Sequence, residues 1–216
     1  MSAPSTRLVA TLGLISVISG VLVAMTSQLT LPRIERNKRE ALEKAIFQVL
    51  PGATSRGNFR VDETGLHRLD DADIAGSNVF AGYNGAGDLV GYALEASARG
   101  YQDVVRILYG YVPQTQCIIG FVVLQSTETP GLGDRVTSDP GFLANFTCLE
   151  AVVEPAATVM RNEIVTVKNG KKTQPWQIDG ISGATVTSTA IGRGLRESSN
   201  RLLPLLAKFH PKASTP

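Results

Sequence analysis

Two short stretches concentrate residues whose types and spacing can do chemistry. The first, Asp179 to Ser188, reads DGISGATVTS. Gly180, Ser182, Gly183 and Ala184 leave the backbone open to close approach. A helix opening at the following hydroxyl cluster would turn unpaired N–H groups outward, and such a terminus attracts anions. Thr185, Thr187 and Ser188 add hydroxyl donors. Two readings stand side by side: a seat for a phosphate, or an N-capped helix with no ligand, because Ser and Thr are ordinary caps. A Walker loop is excluded, since no lysine follows the glycine.

The second stretch, Ser126 to Asp134, reads STETPGLGD and follows the apolar run IIGFVVLQ. Pro130-Gly131 fits the central positions of a type II turn, and Gly133 permits a further positive φ, so the backbone can close into a compact concave loop. A turn alone does not account for Glu128 and Thr129 ahead of it and Leu132 within it. Polar groups beside one apolar contact suit the edge of a planar heteroaromatic ligand.

Other chemistries fall away. No Gly-x-Ser-x-Gly elbow is paired with a usable histidine, and His67 and His210 read as surface residues, so no catalytic residue is assigned. Two cysteines, Cys117 and Cys148, and two histidines give no metal-ligand spacing. The cysteines pair if they lie outside the cytoplasm, or remain two buried thiols. The net charge of +2 comes from 21 basic and 19 acidic residues that are interspersed, without the basic stripe of a nucleic-acid binder.

These stretches need elements to position them. From Leu8 to Leu31 there is no charged residue, which is long enough to span a bilayer as an uncleaved helix. RIERNKREALEKAIFQVLPG continues it as an amphipathic helix, with Ile34, Leu42, Ala45, Ile46 and Val49 on one face and Pro51-Gly52 as its stop. Residues 53 to 78 read as polar and irregular. Beyond them, Val79 to Tyr83 and Leu89 to Glu95 flank a turn at Asn84 to Gly87, and strands follow at Val104 to Val112 and Cys117 to Leu124. A short helix is expected after Asp139-Pro140, a turn at Asn169-Gly170, and a closing helix from Ala190 interrupted near Pro204. The class is α+β: an antiparallel sheet with flanking helices behind a transmembrane helix. The expected divisions are a tail at 1–7, the anchor at 8–31, a juxtamembrane helix at 32–52, the main domain at 53–210 and a tail at 211–216.

ETPGLG followed some fifty residues later by DGxSGAT, behind one N-terminal anchor, resembles the FMN-binding G subunit of Rnf-type electron-transport complexes. The C subunit of sodium-translocating NADH:quinone reductase is similar. The VLPG helix ending and the segment GYQDVVRILYG belong to the same likeness. A histidine common in the Rnf group shortly before the glutamate is replaced here by Gln125-Ser126-Thr127. The resemblance implies FMN joined through its phosphate to the hydroxyl of Thr185. It implies a flavin transferase that reads Asp179, Gly180, Ser182, Gly183 and Ala184, and a flavin ring lined or braced by Glu128, Thr129, Leu132 and Gly133. Trp176 is expected to fill the core rather than stack on the ring.

On this likeness the domain at 53–210 binds FMN and relays electrons among the membrane and redox subunits of an ion-translocating oxidoreductase, with lipid around the anchor. The expected place is a bacterial inner membrane, single-pass, with the flavin domain periplasmic. Counting Arg33, Arg36, Lys38 and Arg39 against Arg7 points the other way. The alternatives are an FMN subunit of another respiratory or regulatory membrane system, and a cofactor-free, membrane-tethered assembly module.

Overall fold

The computed structural model describes residues 3–70, 78–154 and 159–209, so His210 and the expected tail at 211–216 lie outside the described residues. The chain divides into two units, Met1–Ala41 and Leu42–Pro216.

Helix α1 (Ala3–Val49) runs unbroken through the expected anchor and juxtamembrane segments. In the first unit its large apolar side chains, Leu8 through Leu31, are exposed, and the helix holds an 18-residue window of mean hydropathy 2.4. The hydroxyls of Thr11, Thr26 and Thr30 donate back to the carbonyls of Arg7, Leu22 and Thr26 at 2.8 Å each, which satisfies them without water. A helix with every backbone bond internal and an apolar surface is what a bilayer requires.

In the second unit, seven strands form one antiparallel sheet in the order β2-β1-β3-β4-β5-β6-β7. They are β1 (Ser55–Asp62), β2 (Gly65–Leu69), β3 (Val79–Tyr83), β4 (Leu89–Arg99), β5 (Val104–Val112), β6 (Cys117–Gln125) and β7 (Leu149–Glu150). β1 and β2 fall where the sequence reads as irregular. Their apolar signal is sparse: Arg56 and Asn58 lie on β1, with Asn58 buried, and the Arg56 guanidinium donates to Asn58 and, at 2.7 Å, to Glu43. Asn78 then pairs with β1 as a strand residue would, its amide exchanging bonds of 2.8 and 3.0 Å with the N–H and C=O of Val61.

Alternation along the strands divides the core between the two faces. Phe80, Ala93 and Leu108 pack with Ala45, Ile46, Val49 and Leu50 from the end of α1. Each fully buried aliphatic side chain there contributes about 1.5–3 kcal/mol, so Ile46→Asp would unseat the helix end. The approach is close enough that a Cβ on Gly110 would lie 2.1 Å from the Val49 carbonyl oxygen.

The opposite face, with Val79, Leu94, Ile107 and Tyr109, packs on the last helix, α3 (Thr185–Lys208), through Ile191, Leu195, Leu202 and Leu206. The Tyr109 hydroxyl donates to Ser198 Oγ at 3.0 Å, and Ser198 Oγ donates to the Glu95 carbonyl at 2.7 Å. Burial pushes the Tyr109 phenol well above its ordinary pKa. The helix continues through Pro204 rather than breaking: Phe209 N–H still reaches the Leu205 carbonyl at 2.9 Å, and Leu202, Leu203 and Leu206 are all buried around the proline. Packing outweighs the lost backbone bond.

Between β6 and β7 a turn of 3-10 helix (Gly133–Thr137) leads to α2 (Pro140–Leu143). Asp139 caps α2 by accepting from Phe142 N–H at 3.0 Å. Past β7 come the antiparallel pair β8 (Val153–Glu154) and β9 (Val159–Met160), then β10 (Val165–Val167) and β11 (Gln177–Asp179), which pair in parallel. Cys117 and Cys148 form a disulfide, which resolves the two alternatives open in the sequence. The bridged loop contains all of STETPGLGD.

Candidate functional site

The first motif is delivered by the end of β6. Pro130-Gly131 makes the expected turn: Gly131 has φ +78°, and Leu132 N–H donates to the Thr129 carbonyl at 3.2 Å. Gly133 serves a different purpose from the one its sequence context suggests, because its φ is not positive. A Cβ there would lie 2.5 Å from Glu128 Cβ and 3.0 Å from Thr187 Oγ1, so the absence of a side chain lets the loop close on α3.

Glu128 is buried and its carboxylate ties three segments together. One oxygen accepts the N–H groups of Tyr101 and Gln102 at 2.9 and 3.1 Å, and the other accepts the Thr187 hydroxyl. Gln102 Nε2 adds a bond of 3.0 Å to Thr129 Oγ1. Among the described residues the carboxylate thus meets donors only, which is what a buried carboxylate needs.

The second motif runs from β11 into α3. The Asp179 backbone exchanges bonds of 2.9 and 3.1 Å with the Asn145 side chain, whose oxygen also accepts from Lys172 Nζ at 3.1 Å. Partial burial lowers the Lys172 pKa, and the Asp179 charge opposes that shift. The Asp179 carboxylate accepts the N–H groups of Gly170 and Lys171 at 3.0 and 3.3 Å, and Asn169 Nδ2 donates to the Gly180 carbonyl at 2.9 Å. Asp179 and Gly180 therefore fasten the expected Asn169-Gly170 turn, where Gly170 has φ +73°. Arg135, directly after the first motif, donates to the Ser182 carbonyl and to Asp139, both at 3.0 Å. The Phe142 N–H, and then Arg135, hold the Asp139 carboxyl below its usual range.

At the start of α3 the three hydroxyls differ. Thr187 is engaged by Glu128, and Ser188 Oγ donates to the carbonyls of Ala184 and Thr185 at 2.9 and 3.2 Å; both residues are buried. Thr185 is exposed, and its hydroxyl has no hydrogen-bond partner among the described residues. Gly183, at φ +87°, turns the chain so that Thr185 opens the helix, and Ala184 supplies no side-chain cap.

A recess of about 410 Å³ joins the two motifs. Glu128, Thr129, Leu132, Gly133, Gly183, Ala184, Thr185 and Thr187 line it. Tyr101 and Val186, unassigned in the sequence, complete the lining. Tyr101, Leu132 and Val186 are 71%, 52% and 50% exposed, an apolar rim of unusual openness. Gly180, Ser182 and Ser188 border a second recess instead, and Asp179 borders neither. Trp176 is half-buried and lines neither recess. A recess of about 480 Å³ between β4 and α3 is slightly larger, yet it touches neither motif. Tyr101 is legible in the sequence only through GYQDVVRILYG; Val186 sits inside the second motif as an apolar residue with no chemical signal of its own.

A family described as the FMN-binding domain matches residues 100–199, and one described as the RnfG N-terminal region matches residues 1–49. The G subunit of an ion-translocating oxidoreductase complex from Methanosarcina acetivorans is 30% identical over 186 residues, covering 86% of this chain and 88% of the relative. The chain belongs to this G-subunit family. The corresponding protein of Cereibacter sphaeroides is 29% identical over 206 residues, covering 94% of this chain and 88% of its own. The C subunit of the Na(+)-translocating NADH-quinone reductase of Parabacteroides distasonis shares the fold at TM-score 0.61 and 20% identity, covering 81% of this chain and 96% of that one.

As a G subunit the chain is a membrane-anchored FMN-domain protein of an ion-translocating oxidoreductase complex, with α1 as its anchor. FMN fits the residues present. The recess has the volume of a small-molecule site, its apolar rim suits a flavin ring, and Thr185, whose hydroxyl has no partner among the described residues, stands on its wall.

Proposed function

We propose that this protein carries FMN covalently, through a phosphate ester on Thr185, and relays single electrons between other redox subunits of an Rnf-type complex. FMN, when bound, supplies the redox chemistry. Tyr101, Leu132 and Val186 would hold the ring, and Glu128 would keep their three segments in register. Attachment would follow from attack of Thr185 Oγ on the phosphorus of a flavin pyrophosphate donor held by a flavin transferase. A P–O bond forms to Oγ, the pyrophosphate P–O bond breaks, the nucleotide leaves, and the hydroxyl proton passes to a base of the transferase. The small neighbours Ser182, Gly183 and Ala184 leave room for that approach. A covalent link makes occupancy independent of free flavin, which matters in a compartment without an FMN pool.

The observation that carries this reading is the exposed, unpartnered Thr185 hydroxyl beside two neighbouring hydroxyls that are both engaged. Protein made together with a flavin transferase should show yellow-green fluorescence travelling with the chain on a denaturing gel. Thr185→Val should lose that signal and keep its fold. An unmodified Thr185 peptide from the native host would refute the assignment, and a colourless folded protein would favour a cofactor-free assembly module.

We further propose that the anchor crosses a bacterial inner membrane once, among its lipids, with residues 53–210 on the periplasmic side. The support is the Cys117–Cys148 disulfide, since such bonds persist in oxidising compartments. It outweighs the lysine and arginine count, because that rule weakens for a large translocated domain. A membrane-impermeant label reaching the domain only after the inner membrane is opened would place it in the cytoplasm.

A further inference from the structure

Thr185 stands between two recesses, and they differ in chemistry. The first has the apolar rim of Tyr101, Leu132 and Val186, and its charged group is an anion, Glu128. The second, of about 400 Å³, is bordered by Thr166, Lys168, Asn169, Ser182 and Thr189 as well as Thr185. We propose that this second recess receives the phosphate of the attached flavin, with the Lys168 ammonium as its counter-charge.

The inference rests on the covalent reading above and adds where the charge goes. A phosphodiester keeps one negative charge at neutral pH, and a flavin ring is planar and largely apolar. Placed in the first recess, the phosphate would face the buried Glu128 carboxylate, whose oxygens already accept three donors. Like charges at short range disfavour that arrangement. In the second recess the phosphate would meet a cation that has no ion pair or side-chain hydrogen bond among the described residues. The neighbouring cation, Arg135, is already engaged by Asp139 and the Ser182 carbonyl. The start of α3 adds backbone N–H groups with no side-chain cap at Ala184.

The backbone that carries Lys168 is also held in place. Lys171 N–H donates to the Lys168 carbonyl at 2.9 Å, closing the turn that Asp179 and Asn169 fasten to the second motif. Asp179 is thus a positioning residue: its carboxylate touches neither recess, yet it fixes the turn that carries the counter-charge.

The test uses full-length protein co-produced with a flavin transferase, as wild type, Lys168→Gln, Lys168→Arg and Lys171→Gln. Intact mass gives the labelled fraction, and thermal unfolding of labelled and unlabelled forms is compared in 0.05 and 0.5 M NaCl. Labelled wild type should melt about 2–4 °C above unlabelled protein at low salt, with the gap shrinking at high salt. Lys168→Gln should lose most of the gap and its salt dependence, while Lys168→Arg and Lys171→Gln keep both. A full, salt-dependent gap in Lys168→Gln overturns the proposal. If Lys168→Gln takes no flavin, labelling restored in Lys168→Arg supports the charge. Failure of both, with wild type labelled, would mean that the transferase reads the lysine itself, which also overturns the proposal. Absence of label on wild type would defeat the covalent reading, an outcome read without any lysine variant.

Discussion

Removing the Cys117–Cys148 bridge tests stability and compartment together. The two cysteines are 31 residues apart, so in the chain-entropy picture the bridge removes about 12 cal/mol/K from the unfolded ensemble, or roughly 3–4 kcal/mol at 25 °C. For a unit of this size each kcal/mol moves the midpoint by about 2–4 °C. The Cys117→Ser/Cys148→Ser protein should therefore melt about 7–15 °C below wild type, and reduced wild type should melt with it. The bridged loop holds Glu128, Leu132 and Gly133, so flavin loading of the double variant at 37 °C should fall as well. Full-length protein in detergent, followed by circular dichroism with and without reductant, gives the midpoints. Mass analysis of non-reduced peptides from native membranes gives the linkage. A double variant within about 2 °C of wild type would refute the entropy argument. Free thiols in the native protein would remove the support for a periplasmic domain.

Glu128→Ala strands the Tyr101 and Gln102 N–H groups and the Thr187 hydroxyl, and should cost about 2–4 kcal/mol in urea unfolding. Glu128→Gln keeps an acceptor and should cost about half as much; an alanine variant within about 0.5 kcal/mol of wild type would contradict the clamp. Gly133→Ala places a Cβ 2.5 Å from Glu128 Cβ and should cost about 1–3 kcal/mol with reduced flavin loading. A fully loaded, fully stable Gly133→Ala protein would show the loop to be looser than described. Asp139 has its folded pKa below the ordinary 3.8, so its contribution is complete above about pH 4 and is lost as pH falls through the folded value. Asp139→Asn should flatten the acid limb of the midpoint-against-pH curve between about pH 2 and 4; an unchanged limb would count against the cap.

The fold is legible in the sequence where side-chain alternation is strong and local. The pattern over Val104–Val112 has the bounds the structure gives it, and the strand expected over Cys117 to Leu124 extends one residue further, to Gln125. β1 escapes a sequence reading because its polar residues Asn58 and Arg56 are satisfied by partners that include Glu43, distant in sequence. No local window contains that information. Pro204 misleads for the related reason that its cost is local and its compensation, the burial of Leu202, Leu203 and Leu206, is tertiary.

The site is legible as two motifs, and what sequence does not supply is the division of labour within them. Glycine, acid and hydroxyl look alike in a string whether they touch a ligand or hold another residue that does. In the structure Glu128 and Asp179, the acids at the head of the two motifs, both accept backbone N–H groups from other loops: Tyr101 and Gln102 in one case, Gly170 and Lys171 in the other. Each acid satisfies donors that a loop lacking strand partners would leave open, and each brings a residue absent from the motif, Tyr101 or Lys168, to the border of a recess that Thr185 shares. The motifs therefore work mainly as fasteners around the exposed Thr185 hydroxyl. Substitutions at the acids should for that reason alter how the flavin is held before they alter whether Thr185 can accept it.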